Sequence, residues 1–140
     1  MKGMITSALL RKFFVSLLTP VFGALYLAIV TYGLEVVKAI FIEGYDPWIT
    51  DVKFMLLGVP LFSYIFIFMI GFPVSFISDL LTFKLSNTWR MSMAFLIHTT
   101  GSLVAVVFVD YYFYLYFALP FSIIFWVLDE YLRRKKRRLR

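Results

Sequence analysis

Residues 13–34 read FFVSLLTPVFGALYLAIVTYGL, 22 consecutive positions without Asp, Glu, Lys or Arg. The hydrocarbon core of a bilayer is about 30 Å thick and a helix rises about 1.5 Å per residue, so about 20 apolar residues span it. Three more uncharged stretches follow, at residues 54–78, 91–109 and 111–128. Little of the 140-residue chain is left over. The expected fold is all-α: one transmembrane domain, residues 1–140, built as a polytopic four-helix bundle. Its expected spans are about 13–34, 54–76, 91–109 and 111–128, followed by a basic tail, 129–140.

Composition agrees. The chain is 62% hydrophobic and only 16% charged, whereas a soluble domain carries charge on roughly a quarter of its residues. The net charge of +6 could suit nucleic acid, but the charges gather at span ends rather than on one folded face. Nucleic acid is therefore not an expected partner. There is no cysteine, which excludes disulfides, thiolate metal sites and acylated cysteines.

Lysine and arginine in short loops set membrane orientation. Twelve of the 14 basic residues fall in the N-terminal tail, the loop between spans two and three, and the C-terminal tail. An even span count places those three segments on one side. Only Lys38 and Lys53 fall opposite, together with Glu35, Glu43, Asp46, Asp51 and Asp110. Both termini are expected in the cytoplasm, N-in and C-in, at the cell membrane. Trp48 then marks the outer boundary and Trp89 and Trp126 the inner one, while Tyr111, Tyr112, Tyr114 and Tyr116 open span four. The first span has a basic lead-in but no clean small-x-small cleavage site, so it reads as a retained signal-anchor.

Local signals fill in the elements. Span one reads as one helix from about Arg11, with Pro20 tolerated early. It continues past Glu35, which pairs with Lys38 at i,i+3, until Gly44 ends it. Asp46-Pro47 reads as a cap and first-turn proline opening the next helix. Pro60 and Pro73 bracket a straight core, residues 61–71, and Pro120 predicts a kink in span four. Leu80, Leu81, Phe83 and Leu85 beside Lys84 read as an amphipathic inner loop along the leaflet, and Ser86-Asn87 as the next N-cap. Asp129 and Glu130 stand i,i+4 from Arg133 and Arg134, which extends the last helix beyond the membrane.

Few residues could carry chemistry. His98, the single histidine, precedes Thr99, Thr100, Gly101 and Ser102 in the third span. Ala94, His98, Gly101, Ser102 and Ala105 recur at three or four residues, a small-residue stripe suited to close helix contact. His98, Thr99 and Ser102 form a candidate polar cluster inside the membrane. One reading makes His98 a proton relay or pore-lining group; the favoured one makes it a neutral imidazole hydrogen-bonded across a helix interface. Asp110 reads as a solvated turn residue. Ser75, Ser78 and Asp79 read as a helix-end cap, since no Gly-x-Ser-x-Gly elbow accompanies them. Arg133, Arg134, Lys135, Lys136, Arg137, Arg138 and Arg140 are candidate contacts for anionic lipid, each contributing about 1 kcal/mol near the cytoplasmic leaflet.

No cofactor, metal or catalytic constellation is legible, so the chain is not expected to be an enzyme. The expected role is contact with lipid, a second copy or another membrane protein, as a subunit, regulator or immunity-type protein. The alternative is a small oligomeric transporter or channel with a polar path near His98. Gly71-Phe-Pro-Val-Ser-Phe-Ile-Ser-Asp79, set between spans two and three, resembles a family of uncharacterised small four-span membrane proteins from Bacillus-like bacteria. The resemblance implies a multi-pass protein of the bacterial plasma membrane and carries no functional residue.

Overall fold

The computed structural model describes residues 2–44, 57–104, 112 and 114–138. Their elements are α1 (Lys2–Phe41), α2 (Val59–Phe66), a π segment (Ile67–Gly71), α3 (Phe72–Thr82), α4 (Asn87–Ser102), a second π segment (Tyr114–Ala118) and α5 (Leu119–Arg138). No strand occurs among the described residues. Among the described residues, three helical stretches are long and apolar enough to cross a membrane: Ala8–Phe41, Val59–Thr82 and Leu115–Lys135. The fourth expected span, 91–109, is described only in part, as α4 with its 16 residues.

Helix α1 begins at Lys2 rather than near Arg11, and its 40 residues extend about 60 Å, twice the hydrocarbon thickness. Glu35 and Lys38 pair at 2.9 Å near its far end, where Ile40 and Phe41 stand exposed. Gly44 then takes φ +75°, a left-handed conformation that glycine adopts without the Cβ penalty. The cap proposed at Asp46-Pro47, like Trp48, Ala105, Asp110 and Tyr111, lies outside the described residues.

Three of the four span prolines share one solution. Pro60 follows π-helical residues 57 and 58, Pro73 follows Ile67–Gly71, and Pro120 follows Tyr114–Ala118. A proline ring displaces the carbonyl four residues back and supplies no N–H; widening the preceding turn accommodates both defects within a continuous helix. The core of span two is therefore not uniform over 61–71: α-helix gives way to π-helix at Ile67. Pro20 alone sits inside regular α-helix, in α1.

Helix α1 packs chiefly on α5 and α2, while α4 packs on α3 and α5. Glycines set two of these approaches. A Cβ on Gly23 of α1 would lie 2.3 Å from the Phe121 ring of α5, and one on Gly101 of α4 would lie 2.7 Å from Val74 of α3. Tyr64 adds a polar tie, its hydroxyl donating to the Leu17 carbonyl at 3.0 Å. The connection between α3 and α4 is short: α3 runs to Thr82, and Ser86 is the N-cap of α4 with extended backbone. Leu80, Leu81 and Phe83 remain exposed, but the first two belong to the helix end rather than to a loop.

The polarity of the bundle is reversed relative to a soluble protein. Among the described residues, eleven of the 22 buried positions are polar or charged. Large apolar side chains face outward instead, with Ile29, Leu61, Met69 and Leu81 each about two-thirds exposed or more. Water would not tolerate such a continuous apolar exterior, whereas lipid is its natural solvent.

Candidate functional site: an ion cluster beneath an apolar cavity

At one end of the bundle, charges from three helices converge. Arg11 of α1 lies 2.9 Å from Asp79 of α3 and 2.6 Å from Asp129 of α5. Lys12 approaches the same carboxylates at 3.0 and 3.6 Å and also donates to the Ser75 hydroxyl and carbonyl. Arg133 pairs with Asp79 and stands 3.8 Å from Asp129. Two carboxylates thus share the same three cations. The Lys12 side chain is fully buried, and Asp129 nearly so.

A second group adjoins it through the next residue of α5. Arg90, from the first turn of α4, donates to both oxygens of Glu130 at 2.7 and 2.6 Å, with its side chain 4% exposed. Arg134 reaches Glu130 at 3.1 Å from the more exposed side. Together the two groups tie the start of α1, the end of α3, the start of α4 and the end of α5 to one end of the molecule. Lys12 and Asp79 each sit within about 6 Å, one helical turn, of the limit of their apolar stretch. Their charges are met by a neighbouring helix rather than left exposed, which offsets the cost of burying them.

Ser75, Ser78 and Asp79 are therefore not an end cap. Helix α3 continues through Thr82, the two serines are buried against the bundle, and Asp79 is the hub of the ion cluster. Arg133, grouped by sequence with the lipid-facing tail, is turned inward; Arg134 and Lys135 are exposed. The side chains of Lys136, Arg137, Arg138 and Arg140 lie outside those described. The i,i+4 pairs Asp129–Arg133 and Glu130–Arg134 do form, but the contacts between helices are shorter.

Above the cluster, a cavity of about 400 Å³ opens between α2–α3, α4 and α5. Its walls are mostly apolar, with Phe121 and Phe125 on the α5 side and Ser63, His98, Ser102 and Ser122 as polar points. His98 and Ser102 fall one turn apart on the buried stripe of α4, with Ala94, as the spacing implies. The imidazole stacks on Phe125 at 5.4 Å and has no hydrogen-bond partner among the described residues. That differs from the imidazole bridging helices expected above: it is the His98 carbonyl that crosses the interface, accepting from Ser122 at 2.7 Å. Thr99 is not a cavity residue; its hydroxyl donates to the Phe95 and Leu96 carbonyls of its own helix. Trp126 also departs from expectation, because it packs edge-on against Phe95 at 5.1 Å with its indole N–H buried. Trp89, by contrast, is exposed at the start of α4.

No group of three or more histidine and acidic side chains able to hold a metal occurs among the described residues. Comparison with family models, with curated proteins and with solved structures finds no match to this chain.

Proposed function

We propose that this chain is a four-span protein of the bacterial plasma membrane, with both termini cytoplasmic, and that it works through contacts rather than catalysis. The observation carrying this reading is the ion cluster. It gathers the ends of α1, α3, α4 and α5, the same segments whose basic residues favour the cytoplasmic side. A crossing begun by α4, over about 91–109, carries the chain to the far side, and the Leu115–Lys135 helix returns it to that end. The cluster's acids and bases are occupied by one another, which suits a clamp better than a reaction centre. The exposed apolar exterior and the basic tail fit lipid, a second copy or another membrane protein as partners. The likeness of residues 71–79 to a Bacillus-type membrane family favours the bacterial assignment.

Because the chain has no cysteine, single cysteines report topology directly. In intact cells a membrane-impermeant maleimide is expected to label Glu43→Cys and Asp110→Cys and to spare Lys84→Cys and Arg137→Cys until the membrane is permeabilised. Labelling of Arg137→Cys from outside defeats the reading.

A second reading, a small oligomeric transporter or channel, draws on the cavity that joins His98, Ser63 and Ser102. Solute flux in proteoliposomes that is lost in His98→Leu, with the bundle intact, would select it.

A further inference from the structure

The polar points of the cavity share a hydrogen-bonding bias. Ser63 donates to the Val59 carbonyl, Ser102 to the Thr99 carbonyl and Ser122 to the His98 carbonyl, each at 2.7 Å. A serine in a helix commonly uses its single proton this way and retains its oxygen lone pairs. Toward the cavity these three hydroxyls therefore act as acceptors. The His98 imidazole is the complementary group: its ring nitrogens supply one donor and one acceptor in the neutral form, and neither has a partner among the described residues. Ser122 and His98 are in contact, and Ser102 lies one turn from His98 on the same helix face. One corner of an otherwise apolar chamber thus holds several acceptors and one donor.

We propose that this cavity is a binding site for a neutral amphiphile, an apolar body carrying one hydroxyl. The hydroxyl donates its one proton to the Ser122 oxygen and accepts from the His98 imidazole, and the body lies among Phe62, Ile67, Phe121 and Phe125. A carboxylate or ammonium ligand does not fit, because the ionised groups of the neighbouring cluster pair among themselves and none lines the cavity. A volume of about 400 Å³ lies in the range of small-molecule sites, and a membrane supplies such ligands at high local concentration. A simple hydrocarbon would leave the imidazole and hydroxyls unmatched, so discrimination between an alcohol and an alkane is the signature. The inference rests on the membrane placement proposed above, but not on whether the protein transports anything.

The test is photolabelling of the full chain in lipid nanodiscs with a diazirine-substituted decan-1-ol, followed by mapping of the labelled residues. Label is expected on the buried lining residues Ile67, Phe121 and Phe125. Decan-1-ol should compete at about tenfold lower bilayer mole fraction than decane, the ratio one well-made hydrogen bond provides. Ser122→Ala should bring the two competitors close to parity, and Ile70→Trp, which fills the chamber, should remove the cavity label. Outward-facing Leu61, Ile65 and Met69 provide the internal control, because they meet the probe directly from the bilayer. Control label without cavity label overturns the site while leaving the membrane placement intact. Equal competition by decane reduces the site to a niche for any acyl chain and overturns the proposal. Absence of both labels removes the membrane placement, and the proposal with it.

Discussion

Lys12 of α1 and Asp79 of α3 lie 3.0 Å apart, and the lysine side chain has no exposed surface. Burying an ammonium group costs several kcal/mol, which its partners offset only while they are all present. Lys12→Met keeps the aliphatic stem but removes the charge shared by Asp79 and Asp129. The expected loss is about 3–5 kcal/mol of stability, read as a lowered unfolding midpoint in detergent. Asp79→Leu alone leaves three cations, the buried Lys12 among them, facing Asp129, and is expected to cost at least as much. The double variant, which removes that buried ammonium as well, is expected to lose less than the sum of the two single losses; if it loses the full sum, the pair is not coupled.

The Glu130 pairs test burial against exposure. Arg90 and Arg134 both bind Glu130, but the Arg90 side chain is 4% exposed and that of Arg134 is 52% exposed. Arg90→Leu is expected to cost about 3 kcal/mol or more, and Arg134→Ala no more than about 1 kcal/mol. Equal effects in chemical unfolding would show that α4 is not fastened through this pair.

Gly101 and Gly33 give a matched contrast. A methyl group on Gly101 meets the Val74 side chain at 2.7 Å, so the packing of α3 on α4 must shift; on Gly33 it meets nothing within 4 Å. Gly101→Ala is expected to destabilise by about 1–3 kcal/mol, with recovery in the Val74→Ala background. Gly33→Ala is expected to be neutral or to stabilise by up to about 1 kcal/mol, through helix propensity alone. Thermal unfolding of the four proteins side by side separates packing from propensity.

Much of this architecture is legible along the chain because it depends on local patterns. Uncharged length marks the apolar helices, Gly44 marks the end of α1, Ser86 the start of α4, and the Glu35–Lys38 spacing gives its own ion pair. The ion cluster is not local. Arg11, Lys12 and Arg90 look like orientation signals, and Asp79 looks like a helix end, because each stands at the edge of a hydrophobic run. Their meaning depends on which helix end lies alongside, and that is fixed by packing. One clue was available: Asp79, Asp129 and Glu130 are the acids left on the side crowded with bases, and carboxylates there require partners. The π segments escaped for a related reason. A proline predicts a disturbance but not whether the chain bends or widens, and neighbouring helices decide that.

His98 separates the two functional readings most sharply. Its ring rests on Phe125 and lines the cavity, and no hydrogen bond among the described residues depends on it. Leucine has similar bulk, so His98→Leu is expected to change stability by less than about 1.5 kcal/mol, measured by unfolding in detergent. The Ser122 bond to the residue 98 carbonyl survives, since it involves only the backbone there. A contact protein therefore retains its partners after the substitution, checked by co-purification in mild detergent. A carrier that uses the imidazole to recognise or release its cargo loses flux while remaining folded. A large loss of stability would contradict both readings, because it would make His98 a structural keystone that the observed contacts do not support.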